Sequence, residues 1–205
     1  MASSSLTTPV MKEGECRNWA ELPSELMSDI LRRLDSTDIL ENAQKVCTSW
    51  SSSLRSLRIS NCYPITTDGL TKAIVNLPSL EELDVSYYEL SGKCLKVVGQ
   101  SLPNLKTLKL NCHELSCPRH VSDDDALAIA ETMPGLRFLQ LHGNLLSDIG
   151  LNAILDNCPN LEHLDLRRCL NVNIVGDLEK RCLERIKVLR RPRDSTDDFP
   201  YYAYA

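Results

Sequence analysis

Apolar residues recur along this chain in one fixed arrangement, Leu-x-x-Leu-x-(Leu/Ile/Val). It occurs at Leu54/Leu57/Ile59, Leu80/Leu83/Val85, Leu105/Leu108/Leu110, Leu136/Leu139/Leu141 and Leu161/Leu164/Leu166. A weaker sixth copy reads Leu183/Ile186/Val188. The starts lie 26, 25, 31, 25 and 22 residues apart. A proline stands two residues before the first leucine in four copies, at Pro78, Pro103, Pro134 and Pro159. Proline lacks an N–H and disfavours helix at the residue before it, so each ends a helix and releases the chain into a strand. Between the strands, short amphipathic helices are expected around Asp68-Gly69-Leu70, Ser91-Gly92-Lys93-Cys94-Leu95, Asp125-Ala126-Leu127 and Asp148-Ile149-Gly150-Leu151.

These intervals lie in or near the 20–29-residue period of leucine-rich repeats. The expected fold class is therefore α/β, a leucine-rich-repeat solenoid of parallel strands and short helices. One strand–helix unit cannot bury its own apolar face, and stacked units bury it together. The interval of 31 marks an insertion with Ser116-Cys117-Pro118-Arg119-His120, followed by Asp123-Asp124-Asp125. That acidic run is expected to cap the next helix.

Alternate strand residues point away from the leucine core onto the concave face. They are Ser56, Arg58 and Ser60, then Glu82, Asp84 and Ser86, then Thr107, Lys109 and Asn111. Phe138, Gln140 and His142 follow, then His163, Asp165 and Arg167, with Arg185 and Lys187 last. Arg58, Asp84, Lys109, Phe138, Gln140, His142, His163, Asp165 and Arg167 are the candidate residues for binding a protein substrate. Their mixed charge suits polar protein recognition better than a phosphate backbone. Phe138 is the leading hot-spot candidate, being an aromatic residue on a rigid strand.

Residues 18–50 follow another rhythm. Leu22, Leu26, Ile30, Leu31 and Leu34 recur at helical spacing, and Pro23 suits a first helical turn. Ser36 or Thr37 can cap a second short helix, and Val46, Cys47 and Trp50 form a third apolar set. Three short helices are too small for an independent core, so the unit must complete its core elsewhere. The run Leu22-Pro23-x-Glu25-Leu26-x-x-x-Ile30-Leu31-x-x-Leu34, followed by Val46-Cys47-x-x-Trp50, resembles an F-box. The whole chain resembles the plant F-box/leucine-rich-repeat proteins that interact with Skp-type adaptors, here with a shortened F-box-to-repeat junction.

That resemblance implies a substrate-recognition subunit of an SCF-type ubiquitin ligase, acting in the nucleus or cytoplasm. Its repeats would bind a target for ubiquitination and proteasomal degradation. It implies a Skp-type adaptor and, through it, a cullin as partners. Leu22, Pro23, Leu26, Ile30, Leu31, Leu34, Val46, Cys47 and Trp50 would contact the adaptor. The same leucines can instead be read as an N-terminal cap packed on the repeats, which would leave a non-catalytic scaffold. The implied organisation is a disordered segment 1–17, an F-box over 18–53, repeats over 54–189 and a flexible tail over 190–205.

One conflict stands in the sequence. Only Ser51, Ser52 and Ser53 separate Trp50 from Leu54. Val46, Trp50, Leu54 and Leu57 also fall at helical spacing, so residues 54–59 are claimed both by a third F-box helix and by the first repeat strand.

Composition narrows the remaining classes. Hydrophobic residues make up 42% of the chain and aromatics 5%, which fits a leucine core rather than an aromatic-centred one. The net charge of -5 and absence of a basic run argue against nucleic acid. No stretch has the apolar length of a membrane span or an export signal, so a soluble intracellular protein without disulfides is expected. Most of the nine cysteines are then small core hydrophobes. Cys112, His113, Cys117 and His120 lack the paired spacing of a structural zinc site, so neither metal nor other cofactor is expected. With no nucleophile motif and no phosphate-cradling glycine loop, an enzyme is not expected either.

Overall fold

The computed structural model describes residues 54–59, 67–86, 90–112 and 121–198. The expected F-box, 18–53, lies outside these residues, as do Ser60, His113, Cys117 and His120.

Strand and helix alternate throughout. The strands are β1 (Ser56–Arg58), β2 (Glu82–Asp84), β3 (Thr107–Lys109), β4 (Phe138–Gln140), β5 (His163–Asp165) and β6 (Val188–Arg190). Between them run α1 (Thr67–Ile74), α2 (Gly92–Ser101), α3 (Asp124–Thr132), α4 (Asp148–Asn157) and α5 (Gly176–Arg185). The strands form one parallel sheet in sequence order. Its register aligns Leu57, Leu83, Leu108, Leu139, Leu164 and Leu189 as one row across the sheet.

This row explains why strands of three residues hold. Each strand leucine is flanked by a second row, Leu54, Leu80, Leu105, Leu136, Leu161 and Ile186, and by a third, Ile59, Val85, Leu110, Leu141 and Leu166. All eleven flanking side chains are buried in one core with the strand leucines. Burying each leucine is worth about 1.5–3 kcal/mol, and every one packs on its equivalents in adjacent repeats.

The prolines act as expected. Leu102, Met133 and Cys158 end α2, α3 and α4 in non-helical conformations, each immediately before a proline. The residue after that proline can lock repeats together: Asn104 and Asn160 donate from Nδ2 to the carbonyls of Pro78 and Pro134, each at 3.4 Å. Close helix packing shows at Gly150, where an added Cβ would lie 2.4 Å from Asp123 Oδ1 and 2.8 Å from Ala126 Cβ.

The contested segment 54–59 is not helical and carries the strand β1 at Ser56–Arg58. Leu57 pairs with Leu83, and the Ile59 amide donates to the Asp84 carbonyl at 2.6 Å. The sixth repeat needs a correction of three residues. Leu183 lies in α5 and is 59% exposed, while Val188 starts β6 and is 47% exposed. Ile186 and Leu189 occupy the first two leucine slots instead. Arg185 and Lys187 therefore do not belong to the concave face. Arg185 donates to the Cys158 carbonyl at 2.8 Å, satisfying a helix end, and Lys187 pairs with Glu162 at 2.8 Å.

A smaller expectation also changes. Asp123 makes no side-chain cap bond to α3; it accepts from the amide and hydroxyl of Ser147, both at 2.7 Å, and so braces the start of α4. Asp124 and Asp125 do lie in the first turn of α3. Arg190 is the last residue of β6, and the chain beyond it is tied back to the sheet at Ser195, whose carbonyl accepts from Arg167.

Candidate protein-binding site

The concave face is built by two outward positions on each strand and by the residue two places beyond each strand. The first position carries Ser56, Glu82, Thr107, Phe138, His163 and Val188 across the sheet. The second carries Arg58, Asp84, Lys109, Gln140, Asp165 and Arg190.

Charges at the second position are largely paired across strands. Arg58 Nε lies 3.3 Å from Asp84 Oδ2, and Lys109 Nζ lies 3.4 Å from Glu82 Oε1. Gln140 donates from Nε2 to Asp165 Oδ2 at 3.2 Å. Such pairs in a parallel ladder fix side-chain positions and lower the net field that a partner meets.

Beyond the strand ends the chain turns, and the next polar residues tuck inward. Ser86, Asn111, His142 and Arg167 are all buried. Asn111 donates from Nδ2 to the Ser86 hydroxyl at 2.7 Å and accepts from the His142 amide at 3.1 Å. Arg167 is the most enclosed charge among the described residues, 4% exposed. Its Nε lies 3.0 and 3.1 Å from the two Asp165 oxygens, and Nη2 donates to Oδ2 at 2.7 Å. Its Nη1 donates to the Ser195 carbonyl at 3.0 Å and to the Asp198 carboxylate. Donating to Asp165 raises the guanidinium pKa, and accepting from Arg167 lowers the Asp198 pKa, so both remain charged at neutral pH.

An aromatic centre remains open to a partner. The Phe138 and His163 rings stack at 5.8 Å with a 24° interplanar angle, and Lys109 Nζ lies 5.9 Å from the Phe138 centroid. This gives a half-buried platform with a cation at one side, suited to an aromatic or apolar side chain.

All nine candidate substrate-binding residues thus lie on or just beyond this sheet, within two groups. Arg58, Lys109, Phe138, Gln140 and His163 are partly or fully exposed, whereas Asp84, His142, Asp165 and Arg167 are buried and engaged by neighbours. Sequence reasoning missed Val188 and Arg190. Placing Ile186 and Leu189 at a 25-residue interval from Leu161 and Leu164 would have found them.

Comparison with known proteins adds the segment that precedes the sheet. The F-box domain family matches residues 19–61. The F-box protein SKIP19 of Arabidopsis thaliana is 49% identical over 261 residues, covering 97% of this chain and 85% of that protein. The chain belongs to the F-box/leucine-rich-repeat family. Arabidopsis F-box/LRR-repeat proteins 23 and 22 are 45% and 42% identical, each over 264 residues and 96% of this chain. The chain spans 59% of the first of these and 84% of the second.

The family implies a substrate-receptor role in an SCF ubiquitin ligase, with a Skp-type adaptor as partner and catalysis left to other subunits. The nine candidate adaptor-contacting residues, Leu22 to Trp50, fall within the matched segment and outside the described residues. One feature bears on the junction. The F-box match runs to residue 61 and so includes β1, which the repeats already use. The SKIP19 alignment spans 261 positions although this chain has 205 residues, so at least 56 positions of that relative face gaps here.

Proposed function

We propose that this chain is the target-recognition subunit of an SCF-type ubiquitin ligase. Residues 19–61 hold a Skp-type adaptor and through it a cullin, and the repeats hold a protein substrate for ubiquitination and proteasomal degradation. Leu22, Pro23, Leu26, Ile30, Leu31, Leu34, Val46, Cys47 and Trp50 make the adaptor contact. The observation that supports this reading is one chain joining an F-box match to a rigid sheet with an aromatic platform at its centre.

The mechanism is proximity. A target seated on Phe138, His163 and Lys109 is held at high local concentration beside a ubiquitin donor carried by other subunits. No side chain of this protein needs to react. Cys158 illustrates the point: burial pushes its thiol up to about 11, so it holds almost no thiolate at neutral pH. The reading places the protein in the nucleus or cytoplasm, which a fluorescent fusion would check.

Affinity capture from cells with the proteasome blocked tests the target arm. Targets retained by the full chain and lost from Phe138→Ala, with the adaptor still bound, support the reading. Identical target recovery by both would contradict the assigned platform.

A second reading is favoured by the junction. If β1 is taken from the F-box and the missing positions belong to its end, the chain is a repeat scaffold that no longer engages the adaptor. Failure of the folded protein to bind any Skp-type adaptor selects this alternative.

A further inference from the structure

The residue immediately before each strand forms a row along one rim of the concave face: Arg55, Glu81, Lys106, Arg137, Glu162 and Lys187. All are exposed or partly exposed, and four cations stand against two glutamates. Each glutamate serves the cations on both sides of it. Glu81 lies 3.8 Å from Arg55 Nε and 2.5 Å from Lys106 Nζ. Glu162 Oε2 lies 2.8 Å from Lys187 Nζ and feels Arg137 only at longer range. Lys106 and Arg137 are therefore neighbours with no acid between them, joined by the Arg137 amide donating to the Lys106 carbonyl at 2.8 Å. The chain as a whole carries a net charge of -5, so this local excess of cations does not follow from composition.

This pair of cations stands where the face turns from polar to aromatic. Directly after them, the first outward position is Thr107 on β3 and Phe138 on β4. Toward the strand ends, Lys109 Nζ lies 5.9 Å from the Phe138 centroid. The carboxylates of the face are already engaged. Glu82 accepts from the Ser56 hydroxyl at 3.2 Å and pairs with Lys109 at 3.4 Å, while Asp84 pairs with Arg58 at 3.3 Å. Asp165 is enclosed by Arg167. Among the described residues Arg137 makes no ion pair, Glu162 being held by Lys187. The unmatched positive charge thus lies beside the aromatic platform.

We infer that the repeats take an extended acidic segment of a target protein, with its carboxylates on Lys106 and Arg137 and an aromatic side chain on Phe138 and His163. This rests on the target-recognition reading and names the chemistry of the target. Neighbouring cations with no acid between them raise the local potential, which steers an anionic partner and selects against a cationic one. The stacked rings then supply the apolar contact that fixes its register. Spacing sets the motif. Lys106 and Lys109 lie three strand steps apart, about 10 Å, so cations stand before and after the platform. An extended peptide with carboxylates within two residues of its aromatic residue covers that distance, at roughly 3.3 Å per residue.

The test screens the full chain against a phage-displayed library of random peptides. Enriched sequences should carry at least two Asp or Glu residues within two positions of a Phe, Tyr or Trp. Peptides synthesised from them should bind the parent chain and Lys93→Glu alike, and Arg137→Glu at least fivefold more weakly. Lys93 is exposed on α2, so its reversal makes the same charge change away from the sheet. Added salt should weaken binding to the parent more steeply than binding to Arg137→Glu. Phe138→Ala should also weaken binding; Arg137 is exposed on the rim, so its variant carries the test if Phe138→Ala does not fold. Enriched sequences without an acidic excess, no enrichment, or equal binding by Arg137→Glu and Lys93→Glu would overturn the inference. Adaptor binding is measured on the same proteins. No acidic peptides with the adaptor bound overturns this inference alone, and acidic peptides bound without the adaptor overturn the ligase reading alone.

Discussion

The guanidinium of Arg167 encloses the carboxylate of Asp165, two residues earlier, with Nε 3.0 and 3.1 Å from the two oxygens and Nη2 at 2.7 Å from one of them. Both groups are buried, and Asp198 and the Ser195 carbonyl use the remaining Nη1 donor. The pair thus joins β5 to the segment that closes the C-terminal end of the sheet.

Removing the guanidinium leaves the buried Asp165 carboxylate with the Gln140 side chain and the backbone amide of residue 167 as its neutral donors. Arg167→Met should therefore destabilise the repeats by about 3 kcal/mol, measured as a shift in urea midpoint. Adding Asp165→Asn should recover part of that loss, since the orphan charge is gone. A single-variant loss below about 1 kcal/mol would show that water already solvates the site.

The corrected sixth repeat makes a separate prediction. Leu57 faces Leu83 in the parallel ladder, and Ile186 occupies the equivalent of Leu54. Leu57→Ala and Ile186→Ala should each cost about 2–4 kcal/mol, whereas Leu183→Ala should stay within about 0.5 kcal/mol. Equal losses at Leu183 and Ile186 would restore the earlier register.

That slip shows what the sequence could reveal. Leu-x-x-Leu is the spacing of adjacent positions in this repeat and also of one helical turn, so Leu183 and Ile186 fit both. In repeats two to five the proline before the leucine separates the two readings, and the sixth has none. Residues 54–59 are ambiguous for the same reason, and the pairing of Ser56–Arg58 with β2 decides between the two readings. Phe138, His163 and Lys109 were legible as outward residues, since strand alternation alone assigns them. Their stacking was not legible, nor was Asp198 meeting Arg167 across 31 residues, because no periodic signal links a turn to a segment beyond the last repeat. Burial of Asp84 and Asp165 also escaped the pattern: alternation gives a side chain its direction, while neighbouring repeats decide how far it is covered.

The thiol of Cys158 gives a pH prediction. Burial is the main cause of its rise to about 11 from an ordinary value of 9.0, with Arg185 opposing. The unfolded chain loses this proton near 9 while the folded chain keeps it to about 11. This contribution to stability is full below pH 9 and declines as pH rises from 9 to 11. Alkylation with iodoacetamide, followed by peptide mass analysis, should leave Cys158 unmodified in the folded protein at pH 8.5 and modify it readily in urea. Rapid labelling of Cys158 in the folded protein at that pH would contradict the buried placement.

Adaptor binding decides the central claim, because the F-box match and the first repeat both use residues 56–58. The direct measurement is co-purification of the folded full chain with a Skp-type adaptor, beside Leu22→Ala/Pro23→Ala and Leu183→Ala variants. The account predicts a stoichiometric complex for the parent and Leu183→Ala, and at least tenfold weaker binding for the double variant with its repeat unfolding transition unchanged. No complex with a parent chain that shows its cooperative unfolding transition would contradict it.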